Sequence, residues 1–321
     1  MNKPFQILTV LLLAFSVSLA AQELIPRNAG GKWGYSAAGG AAVIPPRYEL
    51  AYPFSEGRAL VRIKGRYGFI DKTGRPVIKP KYQSAGEFSQ GVAPVKLRGQ
   101  WGFIDRNGKE AVPFAYEEAL PASEGTAIAK QNGRWGVLEI KTGEFTPTIY
   151  DEIYPFSGGL ARFKAAGRYG FMDKTGTEFT PPVYDELFPF DGDFASARLR
   201  DKYGFLNKTT KAFKEKKFIS IGPLSEGLAH AQTAETEGRC GYISPSGAAV
   251  IDFKFSMCAA FDEGLAPVLK DFKKGWGFID KKGTLVIPFK YDQVTSFKNG
   301  IAKAAVKNRV FYIDRSGKEY R

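Results

Sequence analysis

From Gly91 to Ser123 the chain reads "GVAPVKLRGQWGFIDRNGKEAVPFAYEEALPAS", and its apolar residues come in short runs separated by polar turn residues. "VAPVKL" and "WGFID" are strand-type runs joined by a glycine-containing turn. "DRNG" then places Asp first and Gly last, as a hairpin with a left-handed glycine requires. "KEAVPF" is a third strand, with proline near its end to stop the ladder. A shorter fourth strand around 118–122 leads into a Ser-Glu-Gly turn. The unit predicted is an antiparallel meander of three to four strands, with almost no helix signal. In "WGFID" the Trp and Phe side chains share one face and Ile takes the other. Both faces are therefore apolar, and neighbouring units are the expected cover.

The unit recurs. An aromatic-Gly pair or its derivative starts at Trp33, Tyr67, Trp101, Trp135, Tyr169 and Tyr203 at a spacing of 34, then at Cys240, Trp276 and Val310. A second column, Tyr48, Tyr82, Tyr116, Tyr150, Tyr184, Phe218, Phe255 and Tyr291, keeps a constant distance behind it. A third carries Ser-Glu-Gly at 55–57, 123–125 and 225–227, and Asp-Glu-Gly at 262–264. A fixed period of this length marks one structural unit copied in tandem. Eight full copies and a partial ninth fill residues 21–321 as a single domain. The fold expected is all-β, an array of tandem meanders left open like a solenoid, with a closed β-propeller as the alternative. The extra residues of copies seven and eight fall in "QTAETEGRCG" and "LKDFKKGWG", both in the turn before the aromatic-Gly strand. That face is a candidate for binding.

Residues 1–20 add a different pattern: Lys3, an apolar run from Ile7 to Leu19, and small residues around Ser18-Leu19-Ala20. This is the form of a secretory signal, too short in its apolar core for a spanning helix. It implies export to a periplasmic, outer-membrane-associated or extracellular location, with no transmembrane span in the mature chain. An oxidising location gives the two cysteines a meaning. Cys240 replaces the aromatic of its copy, and Cys258 stands where the other copies have Ala51, Ala85, Ala119, Ile153, Leu187, Ile221 and Val294. If ring and small apolar residue touch in each copy, a Cys240–Cys258 disulfide replaces that contact.

The columns "RYGFIDKTG", "PPVYDE", "YPFSEGRAL" and "FDEGLAPV" make the chain resemble the WG repeat family of bacterial proteins, from about Ile25 to Tyr320. That resemblance implies β-rich repeats, often behind a signal peptide, and no defined activity. Copy six, "KYGFLNKTTKAFKEKKF", departs from the pattern: Thr210 replaces the turn glycine and lysines crowd the third strand.

Catalytic chemistry has little to stand on. The single histidine, His230, occupies a position that is Leu60, Pro94, Ile128, Arg162, Ser196, Pro267 or Lys303 in other copies. No nucleophile elbow, phosphate loop or metal-ligand spacing occurs. Asp71, Asp105, Asp173, Asp280 and Asp314 read as turn-forming acids. No catalytic residue, metal or cofactor is assigned, and a glycan-directed hydrolase is kept as a rival reading. The formal charge of +13 favours anionic partners. Lys32, Arg66, Arg134, Arg168, Lys202, Arg239 and Arg309 each precede the aromatic-Gly position and form a candidate binding row. Tyr150, Tyr184 and Tyr291, each followed by an acid, are further candidates, because a tyrosine hydroxyl needs a polar partner. The expected function is a non-catalytic binding or scaffold role in the cell envelope, toward an envelope protein or an anionic glycan or lipid. A carbohydrate-binding module is the alternative, and nucleic acid is not expected.

Overall fold

The computed structural model describes residues 23–37 and 40–320; the expected signal at 1–20 lies outside them. Among the described residues there are nine small antiparallel sheets, met in chain order. The first blade has three strands, β1 (Leu24–Ala29), β2 (Lys32–Ala37) and β3 (Ala42–Tyr48). Each later blade has four: an inner strand, two central strands and an outer strand. In blade 3 these are Ser84–Ala85, Val92–Leu97, Gln100–Asp105 and Glu110–Tyr116. The meander read from the sequence is therefore the unit observed, with its boundary placed before the short strand.

The array closes on itself. Trp33 of blade 1 meets Tyr312 of blade 9 edge-on, with ring centroids 5.8 Å apart. Ile25, Ile301, Tyr312 and Tyr320 share one buried cluster across this seam. The open solenoid expected first is thus corrected to the alternative, a closed β-propeller of nine blades. The cause is geometric: each twisted sheet packs on the next at a similar rotation, and nine steps of one hand return the last blade to the first.

The core lies between blades, as the two apolar faces demanded. Phe69, Ile78 and Tyr82 of blade 2 pack against Ala93, Val95 and Ile104 of blade 3. Blade 1 presents Tyr35, Ile44 and Tyr48 to Ala59, Val61 and Ile70 of blade 2 in the same way. Between blades, the Phe two residues after the aromatic-Gly position packs on the Phe that precedes the next blade's inner-strand turn. They meet as Phe69–Phe88, Phe171–Phe190 and Phe278–Phe297 at 4.7, 4.8 and 4.9 Å. Each such buried ring contributes about 1.5–3 kcal/mol. The aromatic-Gly rings themselves, Trp101 and Trp276 among them, are only half-buried at the margin of these clusters.

The glycine of the pair has a steric cause. In blade 2 a bulge in the outer strand shifts the register between Tyr67↔Tyr82 and Phe69↔Ile78. The shift drives the Ile78 carbonyl onto Gly68, where a Cβ would lie 2.6 Å from that oxygen. Pro80 sits in the bulge, where no ladder N–H is required.

The cysteines form the expected disulfide, with Cα atoms 6.1 Å apart. It joins the third strand of blade 7 (Cys240–Ile243) to the inner strand of blade 8 (Met257–Cys258). In the other blades Trp101 with Ala119, Tyr169 with Leu187 and Trp276 with Val294 share clusters at the same place.

Candidate binding surfaces

Successive turns of an antiparallel blade point to opposite faces of the ring. One face carries the hairpins between the two central strands and the links that follow the tyrosine column; it is the rim face. The other carries the Ser-Glu-Gly and Asp-Lys-x-Gly turns.

Lys32, Arg66, Arg134, Arg168, Lys202, Arg239 and Arg309 all lie exposed on the rim face, one in each of seven blades. They stand around the ring and do not converge on a pocket. A second row, one strand further in, is neutralised locally. Arg62 pairs with Glu49 at 3.0 Å, Lys130 with Glu118 at 3.6 Å, Lys164 with Glu152 at 3.4 Å and Arg198 with Glu186 at 3.0 Å. The Arg62 hydrogen bond holds the Glu49 carboxyl below the usual carboxylate range. In the outer row Lys202 pairs with Glu215 at 2.7 Å, while Arg168 and Arg239 donate to the carbonyls of Val183 and Lys254 at 3.3 and 3.2 Å.

Apolar side chains protrude beside these cations. Ile149 is 90% exposed, Phe272 85% and Ile219 53%, and all three stand on turns or links of the rim face. Phe272 belongs to the longer turn of copy eight, so the insertion face picked out in the sequence is this one. In blade 4 Arg134, Trp135, Ile149, Tyr150 and Asp151 line an open recess of about 540 Å³.

Of the three candidate tyrosines only Tyr150 borders that surface, half-buried in the recess of blade 4. Tyr184 and Tyr291 are buried, and Tyr150 lies stacked on Phe163 with centroids 3.9 Å apart. Burial pushes all three hydroxyls above the ordinary tyrosine range. The acids that follow them serve elsewhere: Asp151 accepts the Ala166 N–H at 2.9 Å and Asp292 the Lys307 N–H at 2.7 Å, each capping a rim turn. Tyr150 instead donates to Glu178 at 3.4 Å.

On the opposite face, the Ser-Glu-Gly triplets have a role that the sequence reading missed. The serine reaches forward to the next blade: Ser55 donates to the Phe88 carbonyl at 2.7 Å, Ser89 to Ala122 at 2.8 Å, Ser123 to Phe156 at 2.6 Å and Ser225 to Phe261 at 2.7 Å. The glutamate accepts the next glycine's N–H, as in Glu56 with Gly91 and Glu226 with Gly264, both at 2.9 Å. A cation from that same next blade completes the clamp: Arg106 on Glu56 at 2.8 Å and Lys281 on Glu226 at 3.0 Å. A signal existed, since serine and glutamate recur together at the repeat period.

The turn acids behave as read. Asp173 accepts the N–H groups of Thr175 and Thr177 at 2.9 and 3.0 Å, and Asp280 those of Lys282 and Thr284 at 2.9 and 2.8 Å. In the irregular copy six, Lys211 supplies the left-handed φ of 54° that glycine supplies elsewhere. His230 is packed over Gly222, where a Cβ would lie 2.0 Å from its Nε2, and burial lowers its pKa. Among the described residues no group of three His, Cys, Asp or Glu side chains could hold a metal. No helix there is long and apolar enough to cross a membrane.

A ring of sequence-repeated antiparallel blades, each carrying the aromatic-Gly strand or its derivative at its centre, defines a repeat-built β-propeller. The family model of the WG containing repeat matches residues 33–67, 67–101, 101–135, 144–168, 169–203, 241–273 and 276–309. The chain belongs to that family. Sequence comparison with curated proteins gives no match. In fold, the chain is similar to a structure described as the eukaryotic initiation factor, with a TM-score of 0.62 at 11% identity, covering 93% of this chain and 94% of that one. Looser likenesses are to Hsv2p of Kluyveromyces lactis, with a TM-score of 0.43 at 8% identity over 63% of this chain and 75% of that one. PorZ of Porphyromonas gingivalis, described as a bacterial surface component of the type-IX secretion system, gives 0.35 at 10% identity over 93% and 50%. At such identities the likeness is one of fold alone.

Proposed function

We propose that this chain is an exported, non-catalytic docking platform of the bacterial envelope, whose rim face rests on an anionic surface. The observation that carries the reading is the joint exposure, on one face, of seven cations and of Ile149, Ile219 and Phe272. Basic residues beside protruding apolar ones are the combination that binds an anionic lipid interface. The N-terminal pattern and a disulfide, which forms in oxidising compartments, support export. His230, half-buried and pushed toward its neutral form without a carboxylate partner among the described residues, supports the non-catalytic reading.

Sedimentation with phosphatidylglycerol-containing vesicles tests the proposal. Binding is expected at low salt and should fall steeply as salt rises. The variant Arg66→Glu, Arg134→Glu, Arg168→Glu should bind about 100-fold more weakly, at about 1 kcal/mol or more per cation. Ile149→Asp with Phe272→Asp should weaken vesicle binding further and leave binding to a soluble acidic polysaccharide unchanged. Salt-independent binding, or none by wild type, sinks the reading.

A further inference from the structure

Blades 4 and 6 build their outer edge differently from their neighbours. In blades 2, 3 and 5 the outer strand runs over seven residues, and a register shift brings its last tyrosine opposite the aromatic-Gly ring, as in Trp101↔Tyr116. In blade 4 the outer strand is only Phe145–Pro147, paired without a shift as Gly136↔Pro147, Val137↔Thr146 and Leu138↔Phe145. Thr148 then bonds the Trp135 carbonyl through its N–H at 2.9 Å and its hydroxyl at 3.1 Å, and the ladder ends. The next blade adds a second departure. Phe163 stands where neighbouring repeats have Val95, Ala129 and Ala197. Its ring lies against Tyr150 and fills the space into which the other tyrosines of the column sink, so Tyr150 stays half-buried where Tyr116 and Tyr184 are buried.

Blade 6 shares the short outer strand, Phe213–Glu215, but neutralises its own cations: Lys202 pairs with Glu215 at 2.7 Å and Arg198 with Asp201 at 3.0 Å. Two repeats earlier, in blade 4, those two acids are Pro147 and Gly133. Arg134, which is exposed, therefore has no ion pair or hydrogen bond among the described residues. It borders the open recess of about 540 Å³ shared by Trp135, Ile149, Tyr150 and Asp151, a volume within the range of small-molecule sites, about 300–1,000 Å³. Both rings are held in place, Tyr150 by Phe163 and Trp135 by the Lys130 ammonium 5.6 Å from its centroid. The charges cancel. Lys130 pairs with Glu118 at 3.6 Å, which leaves one cation, Arg134, and one anion, Asp151. One Asp151 oxygen accepts the Ala166 N–H, and the other has no partner among the described residues.

We infer that the blade 4 recess is a binding site for a neutral sugar unit of a glycan. The guanidinium can only donate and the carboxylate can only accept, so the ligand must carry both kinds of group. A pyranose does: its hydroxyls accept from Arg134 and donate to Asp151, and its C–H face covers an aromatic ring. A phosphate or carboxylate group would meet the Asp151 charge, and an apolar ligand would leave both polar groups desolvated and unpaired. The site takes an uncharged ligand, so it stands independently of vesicle binding.

The test is an array of neutral and acidic oligosaccharides probed with the full chain at physiological salt, each hit then titrated calorimetrically. Binding to a neutral glycan is expected, with an affinity that stays the same as salt rises. Vesicle binding falls with salt, so either reading can fail alone. Pro147→Glu, which places on Arg134 the partner that Glu215 gives Lys202, should weaken sugar binding about tenfold with the thermal midpoint unchanged. Arg134→Gln should do the same, and Lys202→Gln in blade 6 should leave sugar binding as it is. No neutral glycan bound, acidic glycans bound alone, or full affinity in Pro147→Glu would overturn the inference.

Discussion

At the scale of single residues, recurring positions are set by what the neighbouring strand or blade puts against them. Gly68 is held by the Ile78 carbonyl, and Gly68→Ala is expected to cost about 1–3 kcal/mol, read from the urea midpoint at unchanged slope. The turn acids make a pH prediction. Asp173 is held below the usual carboxylate range first by the Thr175 hydroxyl and then by the N–H groups of Thr177 and Thr175, against some burial. Asp280 is held low first by the Thr284 N–H. Their folded pKa values lie below the unfolded ones, so their stabilisation is complete above about pH 4 and is lost as pH falls through the lowered values. Acid unfolding followed by circular dichroism should begin at higher pH in Asp173→Asn and Asp280→Asn, whose amides leave neutral-pH stability reduced. These acids were legible because a turn is local, with donor and acceptor within four residues. The role of Ser55 and Glu56 was not, since Phe88 and Gly91 lie a full repeat away and nothing near the triplet reveals them.

At the scale of the blade, the meander and its two apolar faces followed from strand alternation in "WGFID" alone. The Cys240–Cys258 bridge was legible for a related reason: a period turns sequence distance into a spatial rule, so one exception, compared with seven regular copies, shows what it replaces. Reduction, or Cys240→Ala with Cys258→Ala, should lower stability by about 3 kcal/mol, seen as a drop in the thermal midpoint. The assignment of burial was less legible. Period two places Trp101 and Phe103 on one face, but only the stacking of blades decides which ring reaches the middle and which stays at the margin. Tyr184 and Tyr291 were read as binding residues for the same lack of depth; truncating Tyr291, fully buried, should destabilise the fold and leave any surface affinity of the folded protein unchanged.

At the scale of the whole molecule, ring closure depends on a small rotation repeated from blade to blade, and no local sequence feature records that angle. The closure contact, Trp33 on Tyr312, is nonetheless specific. Trp33→Ala should raise hydrogen exchange first in β1 and in the strand Arg309–Asp314, ahead of the blades opposite, because among the described residues the seam has no Ser-Glu-Gly clamp of the kind that joins blades 2 and 3. The clamps also have a direction. Each serine and glutamate reaches toward the unit made after it, never before it. A nascent chain can therefore lock each module as soon as its successor emerges, with no need to wait for the far terminus, and only one joint, the last, is left to be made by collision of distant ends.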